Sequence, residues 1–210
     1  MTVRTKALLA AAAALTMMGA SAAAPAMAKD KTDKDAPKGP VITAEVRTAV
    51  LEGDKAAKAN DLATADTQLA AAVAAAKTDY DRYWVEQLKL EIAQARKDNA
   101  AVAASLDALI ANPTSTNDQK KEFYFSRGIV ASDLKQPQQA ITFLRQARQL
   151  GLTNDAAVPL RLAGLLFDTG DAAGAATEMD TAVAINKAAG KPIPEEWYKF
   201  AMGHLLKANL

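Results

Sequence analysis

Small and bulky apolar residues recur along this chain at nearly constant spacing. An alanine or valine stands at Ala65, Val102, Ala140 and Ala175, with separations of 37, 38 and 35 residues. After the three alanines, a bulky residue follows four positions later and another alanine seven positions later. Such a period is typical of repeat proteins, in which each unit buries its apolar face against the next. The sequence therefore predicts an array of similar units.

From residue 41 onward the apolar spacing is helical. Alanine and leucine recur three and four residues apart, and no stretch shows the alternation of a strand. Asn117 or Asp118 is expected to cap the fifth helix, and Pro137 and Pro159 suit first helical turns. The predicted helices span residues 44–59, 62–77, 80–96, 100–111, 117–133, 137–150, 159–168, 172–188 and 195–209.

The units resemble tetratricopeptide repeats, whose period is about 34 residues. The resemblance is carried by small residues in the first helix of a unit and by alanine and bulky residues in the second. The third unit shows it best, with Tyr124, Gly128, Ala131, Ala140, Leu144 and Ala147. Similar series surround Ala65, as Gly53, Ala56, Leu69 and Ala72, and Ala175, as Ala163, Leu166, Met179 and Ala182. The resemblance implies an all-α fold, an alpha-alpha superhelix (solenoid) of about four helix-turn-helix repeats plus a C-terminal single helix, over residues 41–210.

The chain departs from the family pattern in three places. The second unit has Leu90 where a small residue is expected and Val102 where alanine is expected, which leaves its register open by one or two residues. None of the four units ends with the family's proline. The last helix, with Trp197, resembles the first helix of a fifth unit without its partner, as a capping helix or part of a longer array would. An ordinary alanine-rich helical bundle is the alternative fold.

In tetratricopeptide proteins, the first helices line a groove that holds an extended peptide or a partner helix. Carried over to this chain, the resemblance assigns to that groove Val50, Asp54, Phe125, Ile129, Asp133, Leu160, Phe167 and Asp168, with Arg47, Lys58, Glu122 and Gly164 beside them. An apolar strip edged with acids predicts an apolar or weakly basic protein segment as the partner. The alternative is that Phe125, Ile129 and Phe167 are core residues.

Two clusters within residues 79–84 have simpler readings than a binding site. Tyr80, Tyr83 and Trp84 are expected to pack between units, and an exposed Trp84 would be a candidate contact for a partner. Asp79 and Asp81 are two acids without a third oxygen-rich neighbour, so the start of a helix explains them better than a metal site.

Catalytic motifs are sparse. His204 is the only histidine, the chain has no cysteine, and its glycines form no phosphate-binding loop. A formal net charge of +1 offers no basic excess for nucleic acid. We therefore expect no enzyme, no cofactor, no metal and no nucleic-acid partner.

The first 28 residues have the pattern of a signal peptide. Arg4 and Lys6 precede the apolar run 7–18, and small residues then lead to a cleavage position after Ala28. The alternative, a membrane anchor, would need about 20 apolar residues. With no cysteine to acylate, a lipoprotein is excluded. Residues 29–40 read as a disordered charged linker, and the implied location is periplasmic or secreted.

Together these features predict a periplasmic tetratricopeptide-repeat scaffold that mediates protein–protein interaction in envelope assembly, secretion or cell-wall machinery. The alternative is a structural, self-associating protein whose C-terminal helix docks on another copy.

Overall fold

A computed structural model describes residues 41–153 and 155–207, and the regular elements in these ranges are α-helices. They are α1 (Ala44–Lys58), α2 (Leu62–Ala75), α3 (Asp79–Ala95), α4 (Asn99–Ala111), α5 (Asn117–Asp133), α6 (Pro137–Gln149), α7 (Ala157–Asp168), α8 (Ala172–Ala188) and α9 (Glu195–Lys207). Each bound lies within two residues of the one predicted from the sequence. The predicted signal peptide (1–28) and linker (29–40) lie outside the described residues.

The helices pack as consecutive pairs. α1 pairs with α2, α3 with α4, α5 with α6, and α7 with α8. Each pair contacts the first helix of the following pair, and α9 contacts α8. The described residues therefore form an all-α solenoid of four helix-turn-helix units followed by a single helix, as predicted.

The turn inside each unit has the same backbone conformation. One residue per turn has a positive φ: Asn60 (59°), Lys97 (57°), Lys135 (60°) and Gly170 (86°). The next N–H donates to the carbonyl oxygen five residues earlier, as Asp98 does to Ala93 at 3.0 Å, which ends the first helix and satisfies its last carbonyls. Each positive-φ residue stands five positions before the recurring alanine or valine of its unit. The predicted register therefore holds in all four units, including the second.

Carboxylates begin three of the four second helices. Asp61, Asp98 and Asp171 each accept a hydrogen bond from the N–H three residues later, at 3.1, 3.0 and 2.8 Å. These bonds satisfy backbone donors that a helix leaves unpaired at its start. α6 begins instead with Pro137, as predicted.

One predicted cap and one predicted helix start were wrong. The cap of α5 is Thr116, not Asn117 or Asp118, because Thr116 and Gln119 form a reciprocal capping box with bonds of 3.2 and 2.9 Å that satisfies two backbone donors. α7 begins at Ala157, so Pro159 is the third residue of its first turn and not the first.

The repeated residues form the core. Ala65, Ala140 and Ala175 are fully buried. A Cβ added to Gly128 would lie 2.8 Å from Leu144 Cγ, so this glycine lets α5 and α6 approach closely, as expected. A Cβ added to Gly53 would lie 2.7 Å from a methyl group of Leu88 in the next unit and 3.2 Å from Gln68 Cβ of α2, so this glycine lets both helices approach α1.

Candidate interaction surface

Side chains of neighbouring first helices meet in the first three units. Thr43, which precedes α1, is hydrogen-bonded to Asp81 of α3. Tyr83 of α3 lies 6.4 Å from Phe123 of α5, measured between ring centroids. Phe125 of α5 and Leu160 of α7 pack against the same core cluster. Side chains from successive first helices can therefore contribute to one row.

The α5 part of this row has an apolar centre and acidic ends. Phe125 and Ile129 are one helical turn apart and half-buried, whereas Glu122 and Asp133 are exposed. Residues spaced three or four apart share one face of a helix. The four side chains thus form a stripe on α5 that is partly accessible to a ligand.

The α7 part is closed at one end by α9. Leu160 is half-buried and Asp168 is exposed. Phe167 stacks on His204 of α9 with 4.7 Å between ring centroids, and it meets Phe200 edge-on at 5.9 Å. His204 therefore has a packing role, and Phe167 lies beneath the last helix and not in an open groove.

The α1 part contains one residue that the sequence assigned wrongly to a surface. Val50 is 5% exposed and belongs to the core cluster in which α1 packs against α3. Val50 is therefore not available to a partner. Asp54, one turn further along, is half-buried and forms an ion pair of 2.7 Å with the exposed Lys58.

The second unit supplies a residue that sequence reasoning missed. Glu91 of α3 stands 11 positions before Val102, as Asp54 stands 11 positions before Ala65. Burial raises the pKa of Glu91, and the charge of Asp54 raises it further while Lys58 lowers it, so these three side chains lie near one another. Applying the repeat spacing to the second unit would have identified Glu91.

The structure thus brings together part of the predicted set. We define the first-helix face as Asp54, Glu91, Phe125, Ile129, Asp133, Leu160 and Asp168. Acidic residues come from all four units, whereas the predicted basic residues, Arg47 and Lys58, both come from α1. The residues so defined are apolar or acidic, and Arg161, seven positions before Asp168 on the same side of α7, is a basic residue beside them.

The aromatic cluster of α3 packs between units, as expected. Tyr83 is 3% exposed and meets Trp84 edge-on at 5.5 Å. Its hydroxyl oxygen accepts hydrogen bonds from the amide groups of Gln87, at 3.1 Å, and Gln119 of the next unit, at 2.9 Å. Burial raises the pKa of Tyr83. Its side chain therefore connects the second and third units.

Asp79 and Asp81 have structural partners. Asp79 forms an ion pair of 2.6 Å with Arg82. Asp81 is fully buried, and its carboxylate accepts hydrogen bonds from Thr43, Lys77 and Thr78. Both acids stand in the first turn of α3, where the helix dipole favours negative charge. Over the described ranges, no three histidine or acidic residues are grouped so that they could hold a metal ion.

An open pocket of about 460 Å³ lies where α2, α3 and α4 meet. Leu69, Ile92 and alanines of α4 form its apolar wall. Its charged groups already have partners, since Lys89 pairs with Glu86 at 2.7 Å, Arg96 pairs with Asp66, and Asp98 accepts a hydrogen bond from the N–H of Ala101 at 3.0 Å. This pocket offers an apolar concavity without a free charged group at its wall.

Within residues 41–153 and 155–207, no helix is both long and apolar enough to span a bilayer. Comparisons of the chain with protein-family models and with curated proteins returned no match.

Proposed function

We propose that this chain is an exported scaffold of the tetratricopeptide kind that binds a segment of another protein along the first-helix face. The observation that carries the proposal is the uniform register of the four units, together with half-buried apolar residues that remain accessible on the first helices. Phe125 and Ile129 form the centre of this face. A repeated surface of this type suits a partner that runs across several units.

The charge of the face favours a particular kind of partner. Asp54, Glu91, Asp133 and Asp168 surround an apolar centre, so an apolar segment with flanking lysine or arginine would complement it. Aromatic side chains at such a centre commonly supply most of the binding energy. The charged rim would contribute chiefly to the association rate and to selectivity, and its contribution would weaken with salt.

The sequence features at residues 1–40 support export. A positive start, an apolar run and a small-residue site after Ala28 would direct the chain across a membrane, and residues 29–40 would then link the new N-terminus to α1. We place the scaffold in the periplasm or outside the cell, with a role in envelope assembly, secretion or cell-wall machinery.

Affinity capture from cell envelopes tests the binding face. The exported protein is compared with a Phe125→Ala, Ile129→Ala double variant and with a Val73→Ala control, whose apolar side chain is 50% exposed on the second helix α2. We expect one protein to be crosslinked by the wild type and the control and lost with the double variant, at unchanged helicity. Equal capture by all three proteins would contradict the proposal.

A further inference from the structure

The fourth unit has a glycine at the position where the third unit has the apolar centre of the first-helix face. Gly164 stands 11 residues before Ala175, and Ile129 stands 11 residues before Ala140. A Cβ added to Gly164 would lie 3.4 Å from the Cζ atom of Phe200 in α9. The glycine therefore leaves a recess on α7, and the ring of Phe200 fills this recess in place of a side chain from α7 itself.

Ring side chains extend this contact along α9. Phe200 meets Phe167 of α7 edge-on at 5.9 Å, and His204, one turn later, stacks on Phe167 at 4.7 Å between ring centroids. Trp197, one turn before Phe200, packs against the core cluster of the third and fourth units. Residues three or four positions apart share one face of a helix, so α9 docks through a single stripe of rings.

This docking is weaker than that of α3 on the first unit. Val85, Leu88 and Ile92 of α3 are at most 4% exposed and pack in the core that includes α1. Asp81 of α3 also accepts hydrogen bonds from Thr43. Among the described residues, α9 has no buried side chain, and no side-chain hydrogen bond or ion pair joins it to another helix. Because few buried contacts oppose its opening, α9 should open before the rest of the fold does.

The connection between α8 and α9 provides a hinge. Residues 189–194 are not helical, and Gly190 among them has a φ of 66°. The side-chain amide of Asn186 donates to the carbonyl oxygen of Pro192 at 3.2 Å. Hinges are commonly a few loop residues whose φ and ψ angles change while the helices beside them stay intact. α9 can therefore leave α7 without unfolding α8.

We propose that α9 is a built-in occupant of the first-helix face, which it leaves when a partner's amphipathic helix with the same stripe of ring side chains binds there. This inference rests on the proposed function of that face. While α9 is docked, it covers Gly164 and Phe167, which adjoin Leu160 and Asp168 of the face. Only molecules with an undocked α9 bind the partner across the fourth unit, so the apparent affinity scales with the undocked fraction.

Hydrogen exchange of the full chain tests whether α9 opens by itself. We expect the amides of α9 to exchange at least about a hundredfold faster than those of α7. Phe200→Ala should accelerate exchange in α9 by about tenfold or more and leave α7 unchanged, because it removes the ring that fills the recess. Tyr198→Ala, at a position that is 58% exposed, is the control and should change neither helix. Equal protection of α9 and α7 would contradict the proposal.

A peptide of residues 193–207 provides the probe for the vacated recess. A lactam bridge between Glu195 and Lys199 replaces their ion pair of 2.8 Å and holds the peptide helical, since helices of this length are marginal in water. These two side chains are 77% and 71% exposed, so the bridge lies away from α7. A second peptide with Phe200→Ala is the matched control.

Fluorescence anisotropy measures binding of the labelled peptide to the wild type and to two variants. A Phe200→Ala, His204→Ala double variant loosens the α9 of the chain itself, so it should bind the peptide at least about tenfold more tightly than the wild type does. Gly164→Ile puts into the recess the residue that the third unit has there, so this variant should not bind the peptide. The control peptide should bind the double variant at least about tenfold more weakly. Circular dichroism establishes that both variants keep their helices.

Three results would overturn the proposal. The double variant binds the peptide no more tightly than the wild type does, or Gly164→Ile binds it as tightly as the double variant does. Alternatively, sedimentation equilibrium shows a wild-type dimer that Gly164→Ile dissociates, in which case α9 docks on a second copy. These measurements use no envelope protein, so their outcome is independent of the capture through Phe125 and Ile129 that tests the first-helix face.

Discussion

The carboxylate of Asp81, in the first turn of α3, accepts two hydrogen bonds from Thr43, the residue that precedes α1. The backbone N–H of Thr43 donates to Oδ1 and its hydroxyl donates to Oδ2, both at 2.8 Å. Oδ2 also accepts the N–H groups of Lys77 and Thr78, at 3.1 Å each. One buried carboxylate therefore joins the starts of two first helices and fixes how the first two units stack.

Replacing this carboxylate should destabilise the fold. Asp81→Asn turns one acceptor oxygen into a donor that faces N–H groups, so we expect a loss of about 3 kcal/mol in the free energy of unfolding. Asp79→Asn, at a half-exposed position two residues away, should cost less than about 0.5 kcal/mol. Urea unfolding followed by circular dichroism gives both values. Equal effects of the two substitutions would contradict the role of Asp81 in joining α1 to α3.

The same group predicts a pH dependence. Burial alone would raise the pKa of Asp81, but the hydrogen bonds from Thr43, Lys77 and Thr78 outweigh burial and hold that pKa well below the ordinary 3.8. A carboxyl group whose pKa is lowered by folding stabilises the fold at pH values above its unfolded-state pKa. This stability is lost as the pH falls through the folded-state pKa. We therefore expect the stability difference between wild type and Asp81→Asn to be constant above about pH 5 and to shrink below about pH 4. A constant difference down to pH 2 would contradict this assignment.

Replacing Gly128 and Gly203 by alanine should change the stability of the fold in opposite directions. Gly128→Ala places a Cβ 2.8 Å from Leu144 Cγ and should cost about 1–3 kcal/mol through overpacking between α5 and α6. Gly203→Ala meets no atom within 4 Å and should stabilise α9 by up to about 1 kcal/mol, because alanine is the better helix former. Thermal unfolding of the two variants gives the signs, and a neutral Gly128→Ala would show that the two helices are not in close contact.

Glycine substitutions at the turn residues Lys97 and Lys135 should raise the stability of the fold. Lys97 and Lys135 have φ angles of 57° and 60°, a conformation that costs a residue with a side chain about 1 kcal/mol and glycine almost nothing. After the entropy that glycine adds to the unfolded chain, Lys97→Gly and Lys135→Gly should each stabilise by about 0.5 kcal/mol. Lys187→Gly, at a helical position in the last turn of α8, is the control and should destabilise by up to about 1 kcal/mol.

Ion pairs between units should differ in strength according to burial. Arg127 of α5 is 7% exposed, bonds to Asp107 of α4 at 2.8 Å and lies 4.6 Å from the ring centre of Phe143. Asp107→Ala leaves this buried guanidinium without its carboxylate and should cost about 2 kcal/mol. Asp66→Ala removes the partner of the half-exposed Arg96 and should cost less than about 1 kcal/mol. Denaturant unfolding compares the two, and the reverse order would contradict this account.

Local signals explain why much of the fold could be predicted. Helix stops depend on a few neighbouring residues, so the turn before Ala175, with Gly170 and Asp171, is visible in the sequence. The spacing of the recurring alanines then sets the register, since α-helical pairs of similar length repeat the same contacts. The cap of α5 was misplaced because Asn117, Asp118 and Thr116 are all good caps, and only the reciprocal bond with Gln119 distinguishes them.

The parts that could not be predicted depend on how one unit lies on the next. Val50 is buried because α3 packs over that side of α1, and spacing within α1 alone does not reveal this contact. The bond between Asp81 and Thr43 joins residues 38 positions apart, so no local pattern indicates it. Phe167 was assigned to a groove because the position of α9 over it was unknown. Glu91 is different, since extending the repeat spacing to the second unit predicts its position.

Site-specific photocrosslinking in intact cells tests whether the first-helix face binds another protein. A photoreactive benzoylphenylalanine is placed at Ile129, in the apolar centre of the first-helix face, or at Val73, which is 50% exposed on α2. We expect a discrete adduct with one envelope protein from position 129 and none from position 73, with less adduct as salt rises. Identical adducts from both positions, or no adduct from position 129, would contradict a partner-binding role for this face.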